Sequence, residues 1–76
     1  MGMTTGKLSG AVYGNVPIQL EKSGAAPCTA NTDANGNYAI YLAAGTYKAY
    51  KMPEHILCSP TSIIIPAGTK IQNLSY

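Results

Sequence analysis

Thr32-Asp33-Ala34-Asn35-Gly36-Asn37-Tyr38-Ala39-Ile40-Tyr41-Leu42-Ala43-Ala44-Gly45-Thr46-Tyr47 decides how this chain folds. Asp33 and Asn35 are turn residues whose short side chains bond nearby backbone donors, and Gly36 supplies the left-handed conformation that such a turn needs. Tyr38, Ile40 and Leu42 then alternate with Ala39, Tyr41 and Ala43, the period of a half-buried strand. Ala44-Gly45 reverses the chain, and Tyr47 to Tyr50 leads away as the next strand. The two strands are expected to pair as a β-hairpin, with Tyr38 and Tyr47 placing their rings in the core and their hydroxyls in water.

The same rhythm runs outward in both directions. Lys7 to Tyr13 reads as a first strand with Leu8, Gly10 and Val12 on one face, and Gly14-Asn15 as the turn after it. Val16 to Glu21 alternates Val16, Ile18 and Leu20 against Pro17, Gln19 and Glu21. Because Pro17 has no N–H to give to a ladder, that strand is expected at a sheet edge or with that residue facing solvent. Ser23 to Ala30 and Met52 to Pro60 read as loops. Ile63, Ile64 and Ile65 stand in a row, the pattern of a strand buried on both faces, and Lys70 to Tyr76 reads as the last strand. No window keeps a helical apolar period. The expectation is an all-β antiparallel sandwich of six to seven strands, a single domain over residues 1–76 with residues 1–5 as a flexible N-terminus.

The quoted stretch resembles the signature of carboxypeptidase regulatory-like domains, which belong with the transthyretin-like (prealbumin-like) and collagen-adhesin B-repeat sandwiches. The pattern is T-D-x-x-G-x-Y, an apolar strand, then L-x-x-G-x-Y. It is met by Thr32, Asp33, Gly36 and Tyr38, then Leu42, Gly45 and Tyr47. Gly6 to Val12 and Val16 to Ile18 are similar to the first two strands of that family. The resemblance covers about residues 6 to 52. It implies an immunoglobulin-like sandwich, used in the family as a spacer, adhesive unit or accessory domain.

Size and charge narrow the functions. At 76 residues, only roughly 60% of the unfolded chain's surface can be buried, so stability is marginal and a staple or a partner helps. There are five lysines, three acids and a single histidine, and arginine is absent. Nucleic-acid binding calls for a clustered basic stripe, and Lys7, Lys22, Lys48, Lys51 and Lys70 are scattered. No apolar stretch is long enough to insert in a membrane, and no basic amphipathic segment suits its surface. Met1 to Gly6 has neither the charged nor the apolar region of a secretory signal. Synthesis in a cytoplasm is therefore expected, with a virion or extracellular particle surface as a destination.

Catalysis has little to work with. His55 beside Glu54 cannot furnish a triad or a three-ligand metal centre from this inventory. The run from Asp33 to Asn37 lacks the twelfth-position glutamate of a calcium loop, since Ala44 stands there. No enzyme activity, cofactor or metal is expected. Asn73-Leu74-Ser75 fits a glycosylation sequon, which has no use without secretion. Cys28 and Cys58, both read as loop residues, match no zinc or redox spacing. They either form a disulfide, closing a loop of about 30 residues and adding roughly 3 kcal/mol, or stay as two reduced thiols.

Tyrosine is the more telling residue. Six are present, with neither Phe nor Trp. Tyr13, Tyr41 and Tyr50 fall on outward strand positions, where a ring meets a protein partner, a sugar or simply a neighbouring strand. Ile64 joins them as an interface candidate, because an apolar edge strand with little charge invites another chain. The expected function is a structural or interaction module, a self-associating or docking component of a larger assembly such as a phage virion, where it would serve as a decoration, fibre or tail protein. The alternative is a carbohydrate- or cell-surface-binding adhesion module.

Overall fold

Asp33 builds the turn the sequence predicts. Its Oδ1 accepts the backbone N–H groups of Asn35 at 2.8 Å and Asn37 at 2.9 Å, while Gly36 takes φ +86°. These donors, that of Asn37 foremost, hold the Asp33 carboxyl below its ordinary pKa. The computed structural model describes all 76 residues and contains nine strands and no helix: β1 (Gly2–Ser9), β2 (Pro17–Glu21), β3 (Cys28–Asn31), β4 (Asn37–Leu42), β5 (Gly45–Lys51), β6 (Ile56–Leu57), β7 (Ile63–Ile65), β8 (Lys70–Ile71) and β9 (Leu74–Ser75).

Two sheets face each other as a sandwich. In the first, β1 is central, with β4 antiparallel on one side and the short β8 and β9 parallel on the other. In the second, the order is β3-β2-β5-β6, and β7 lies beside β5 as well. Leu8, Ile18, Leu20, Tyr38, Leu42, Tyr47, Ile63, Ile65 and Leu74 fill the space between the sheets. Each belongs to the inward half of a period-2 pattern.

Several expectations are corrected. β4 and β5 do not form a hairpin: β4 pairs with β1 and β5 pairs with β2, so Ala43-Ala44 is a corner that carries the chain from one sheet to the other. Local alternation fixes which side chains point inward but not which strand is the neighbour. The hairpin lies instead between β2 and β3, where Ser23 to Ala30 read as a loop. β2 is an interior strand, and Pro17 is tolerated because it is the strand's first residue. Thr32 secures the residue before Pro17. Its hydroxyl accepts the Val16 N–H at 2.9 Å and donates to the Val16 carbonyl at 3.1 Å.

The N-terminal residues 2–5 are not loose. They lie in β1, with Thr4 fully buried, whereas Gly10 to Tyr13 leaves the sheet and exposes Val12. Ile64 faces solvent between the buried Ile63 and Ile65, since β7 lines only one face of the core. The final stretch breaks into β8 and β9, both parallel to β1. Gly6 sits opposite the break, where a Cβ would stand 1.9 Å from the carbonyl oxygen of Gln72. The hydroxyls of the two core tyrosines are bonded to backbone rather than wet: Tyr38 donates to Gln72 O at 2.5 Å and Tyr47 to Ala43 O at 2.7 Å.

Candidate contact surfaces

The outer face of the first sheet carries one exposed apolar patch. Tyr41 on β4 stands opposite Met3, and one row along lie Ala39, Thr5 and Ile71. Tyr41 is 64% exposed and Ile71 75%, a large share for such residues on a small domain. Backbone register places them there. Leu42 and Tyr38 must face the core, so Tyr41 between them points out. No charged residue lies on β4.

The outer face of the second sheet mixes polar, aromatic and apolar side chains, with exposed Leu57 opposite Tyr50 and exposed Ile64 opposite Thr46. Tyr50 on β5 lies opposite Gln19, and Lys48 opposite Glu21. The His55 ring, held at φ 60° in the bend after β5, stacks on Tyr50 with centroids 3.8 Å apart and planes 7° from parallel. Its Nε2 lies 2.6 Å from Glu21 Oε2. This contact between β2 and the bend tethers the ring across the strand. Beside it, Glu21, Lys22, Thr46, Lys48, Tyr50 and Ser62 line an open groove.

The structure therefore separates residues that the sequence grouped together. Tyr41 and Tyr50 are on opposite faces of the sandwich. Tyr13 is in the β1–β2 loop, packed near Gly36, and Ile64 stands at the β7 edge, where Lys70 Nζ donates to its carbonyl at 2.5 Å. Of the turn residues, Asp33, Asn35 and Gly36 form one unit, and Gly45 opens β5 after the corner. Cys28 and Cys58 are free thiols. Cys28 is in β3 and not in a loop, opposite Leu20, which is opposite Ala49, whose carbonyl accepts the Cys58 N–H at 2.8 Å. The two cysteines thus stand three strand spacings apart, about 14 Å, and a disulfide spans at most about 7 Å between Cα atoms. Burial raises the Cys58 thiol above its ordinary pKa.

One charged residue escaped the sequence reading. Lys51 points inward at the end of β5, nearly buried, with Nζ 2.5 Å from Glu54 Oε1. Its bond to Glu54, above all, lowers the pKa of that carboxyl. The signal was available: Tyr47, Ala49 and Lys51 share one parity along the strand. No group of three or more His, Cys, Asp or Glu side chains is placed to hold a metal ion.

No family model matches the sequence, and no curated protein is similar to it. Solved structures do resemble it. A DUF3823 family protein from Parabacteroides merdae ATCC 43184 aligns with a TM-score of 0.74 at 16% identity, covering 97% of this chain and 44% of that one. A DUF3823 family protein from Bacteroides ovatus ATCC 8483 aligns at 0.71 and 22% identity, covering 99% and 44%. The likeness is one of fold. The chain spans less than half the length of either neighbour.

Proposed function

We propose that this chain is a non-catalytic interaction module, which works by presenting a β-sheet surface to another protein within a larger assembly. The observation that carries this reading is the outward pair Tyr41 and Ile71 on the first sheet, with Met3 and Ala39 between and beside them and no charge on β4. Water gains nothing from such a surface, and burying it against a partner is favourable at about 25 cal/mol per Å². A place among the carboxypeptidase regulatory-like and transthyretin-like sandwiches belongs to the same reading, supported by the Thr32-Asp33 to Tyr47 motif and by its turn geometry. In those folds the sandwich is a scaffold on which contacts are grafted. A virion component, such as a decoration, fibre or tail protein, is the setting proposed for it.

Native mass spectrometry tests the reading. The wild-type chain assembles with itself or with a co-purified particle, and a Tyr41→Ser/Ile71→Ser double variant keeps its circular dichroism but stays free. Equal behaviour of the two proteins contradicts the proposal. A second reading, carbohydrate binding, is favoured by the groove of Glu21, Lys22, Thr46, Lys48 and Ser62 around the Tyr50 ring, since a sugar takes hydrogen bonds at its rim and an aromatic at its face. Glycan-array binding lost on Tyr50→Ser supports it; an array with no binding removes it.

A further inference from the structure

We infer that the free edge of β4 pairs antiparallel with β4 of a second copy of this chain, about a two-fold axis through Ile40. The inference rests on the contact-module reading and names its partner. It starts from the hydrogen-bond phase of the first sheet. Leu8 N–H donates to Gly36 O at 2.9 Å, and the β1–β4 register continues that pairing as Gly6 with Tyr38, Thr4 with Ile40 and Gly2 with Leu42. In an antiparallel ladder, bonded and non-bonded pairs alternate. Asn37, Ala39 and Tyr41 therefore aim their backbone groups away from β1, at the open edge.

Asn37 is already satisfied. Its N–H goes to Asp33 Oδ1 at 2.9 Å, and its carbonyl accepts the Asp33 N–H at 2.9 Å. Ala39 and Tyr41 each keep a free N–H and a free carbonyl, because β4 pairs with no strand except β1. Edge strands are normally guarded by charge, proline, a bulge or brevity. β3 is four residues long, β7 three, and β6, β8 and β9 two each. β4 runs for six residues in unbroken register without charge or proline. It is the unguarded edge of this fold.

Self-pairing fits this edge in one register. With Ala39 opposite Tyr41 of the second copy, the four free groups on each chain's edge meet four on the other, giving four new hydrogen bonds. Shifting the register either way sets Ala39 or Tyr41 opposite itself and brings in Asn37 or Ala43, whose carbonyls are taken by Asp33 and by the Tyr47 hydroxyl. In the favoured register Ile40 meets its own copy as a non-bonded pair, with Cα atoms about 4.5 Å apart. Ile40 is the inward residue of β4 that is left half-buried, while Tyr38 and Leu42 are buried. A second Ile40 covers it. On the outer face each Tyr41 ring lies beside a small Ala39, and no like charges meet.

Concentration-dependent amide hydrogen exchange tests the pairing. The Ala39 and Tyr41 amides are expected to exchange at least tenfold more slowly at millimolar than at micromolar concentration. Thr29 and Asn31, which face the open edge of β3 by the same phase argument, are expected to show no change. Ala39→Pro, which removes an edge donor that β1 does not use, yields a folded monomer. Association with the Ala39 and Tyr41 amides still exchanging fast overturns the edge pairing while leaving the contact-module reading in place. A chain that stays monomeric at millimolar concentration also overturns it, and docking on another protein then decides the broader reading. Should Ala39→Pro fail to fold, the wild-type exchange rates decide alone.

Discussion

The Tyr38 hydroxyl donates to the carbonyl of Gln72 at 2.5 Å, reaching over Gly6 of β1 to join the edge strand β4 to the break between β8 and β9 within the first sheet. Burial, chiefly, raises the Tyr38 pKa from 10.0 to about 12. A folded-state pKa above the unfolded one gives stability that is fully present below pH 10 and is lost between pH 10 and 12, as the unfolded chain ionises first. Tyr38→Phe removes this dependence. Below pH 10 the variant is expected to be less stable by about 1 kcal/mol, the worth of one hydrogen bond, and the gap closes as pH rises towards 12. Urea denaturation at a series of pH values measures it, and a constant gap contradicts the assignment.

Gly6→Ala is expected to be among the most damaging single-methyl changes. The new Cβ would stand 1.9 Å from the Gln72 carbonyl oxygen, a backbone atom with no side chain to swing aside. Prising β8 and β9 from β1 costs about 2–4 kcal/mol, enough to unfold much of a marginal domain. Gly68→Ala has open space around its Cβ and is expected to be neutral. Thermal melts of the two variants compare them directly.

Thr4 is fully buried and its hydroxyl has no hydrogen-bond partner. Replacing it with valine keeps the shape and discards the unsatisfied polar atom. Thr4→Val is therefore expected to stabilise the chain by about 1 kcal/mol. A fall in melting temperature contradicts this.

Asp33→Ala takes away the acceptor for Asn35 and Asn37. With its pKa depressed in the fold, chiefly by the Asn37 N–H, Asp33 contributes stability above about pH 4, the ordinary carboxylate value. That contribution is lost as pH falls through the lower folded value. The variant is expected to be weaker than wild type at neutral pH and to approach it in acid. Chemical denaturation at pH 7 and pH 3 checks the sign.

Much of this fold was legible in the residues, and the failures have a common cause. The Asp33–Gly36 turn, the inward tyrosines Tyr38 and Tyr47 and the alternation of β2, β4 and β5 all follow from local chemistry. Neighbour choice does not. Ala44-Gly45 reads as a hairpin turn, but β1 and β2 compete for β4 and β5 and each captures one, turning the reversal into a corner between sheets. Cys28 and Cys58 read as a possible bridge because sequence spacing says nothing of the two strands that lie between them. Ile63 to Ile65 reads as a strand buried on both faces, but β7 covers the core with one face only and leaves Ile64 exposed. Tyr13, Tyr41 and Tyr50 all read as outward strand residues, but strand membership decides which sheet each decorates, and it divides them among a loop and two opposite faces. The Ala39–Tyr41 edge was invisible, since free backbone groups have no letter in a sequence.

Isotope-filtered nuclear Overhauser spectroscopy on an equimolar mixture of labelled and unlabelled chains tests the central claim most directly. Pairing through β4 predicts strong intermolecular contacts between the Ile40 Hα protons of the two copies, flanked by contacts from Ala39 to Tyr41. A millimolar mixture with no intermolecular signal, or with signals from β3 in place of β4, contradicts it.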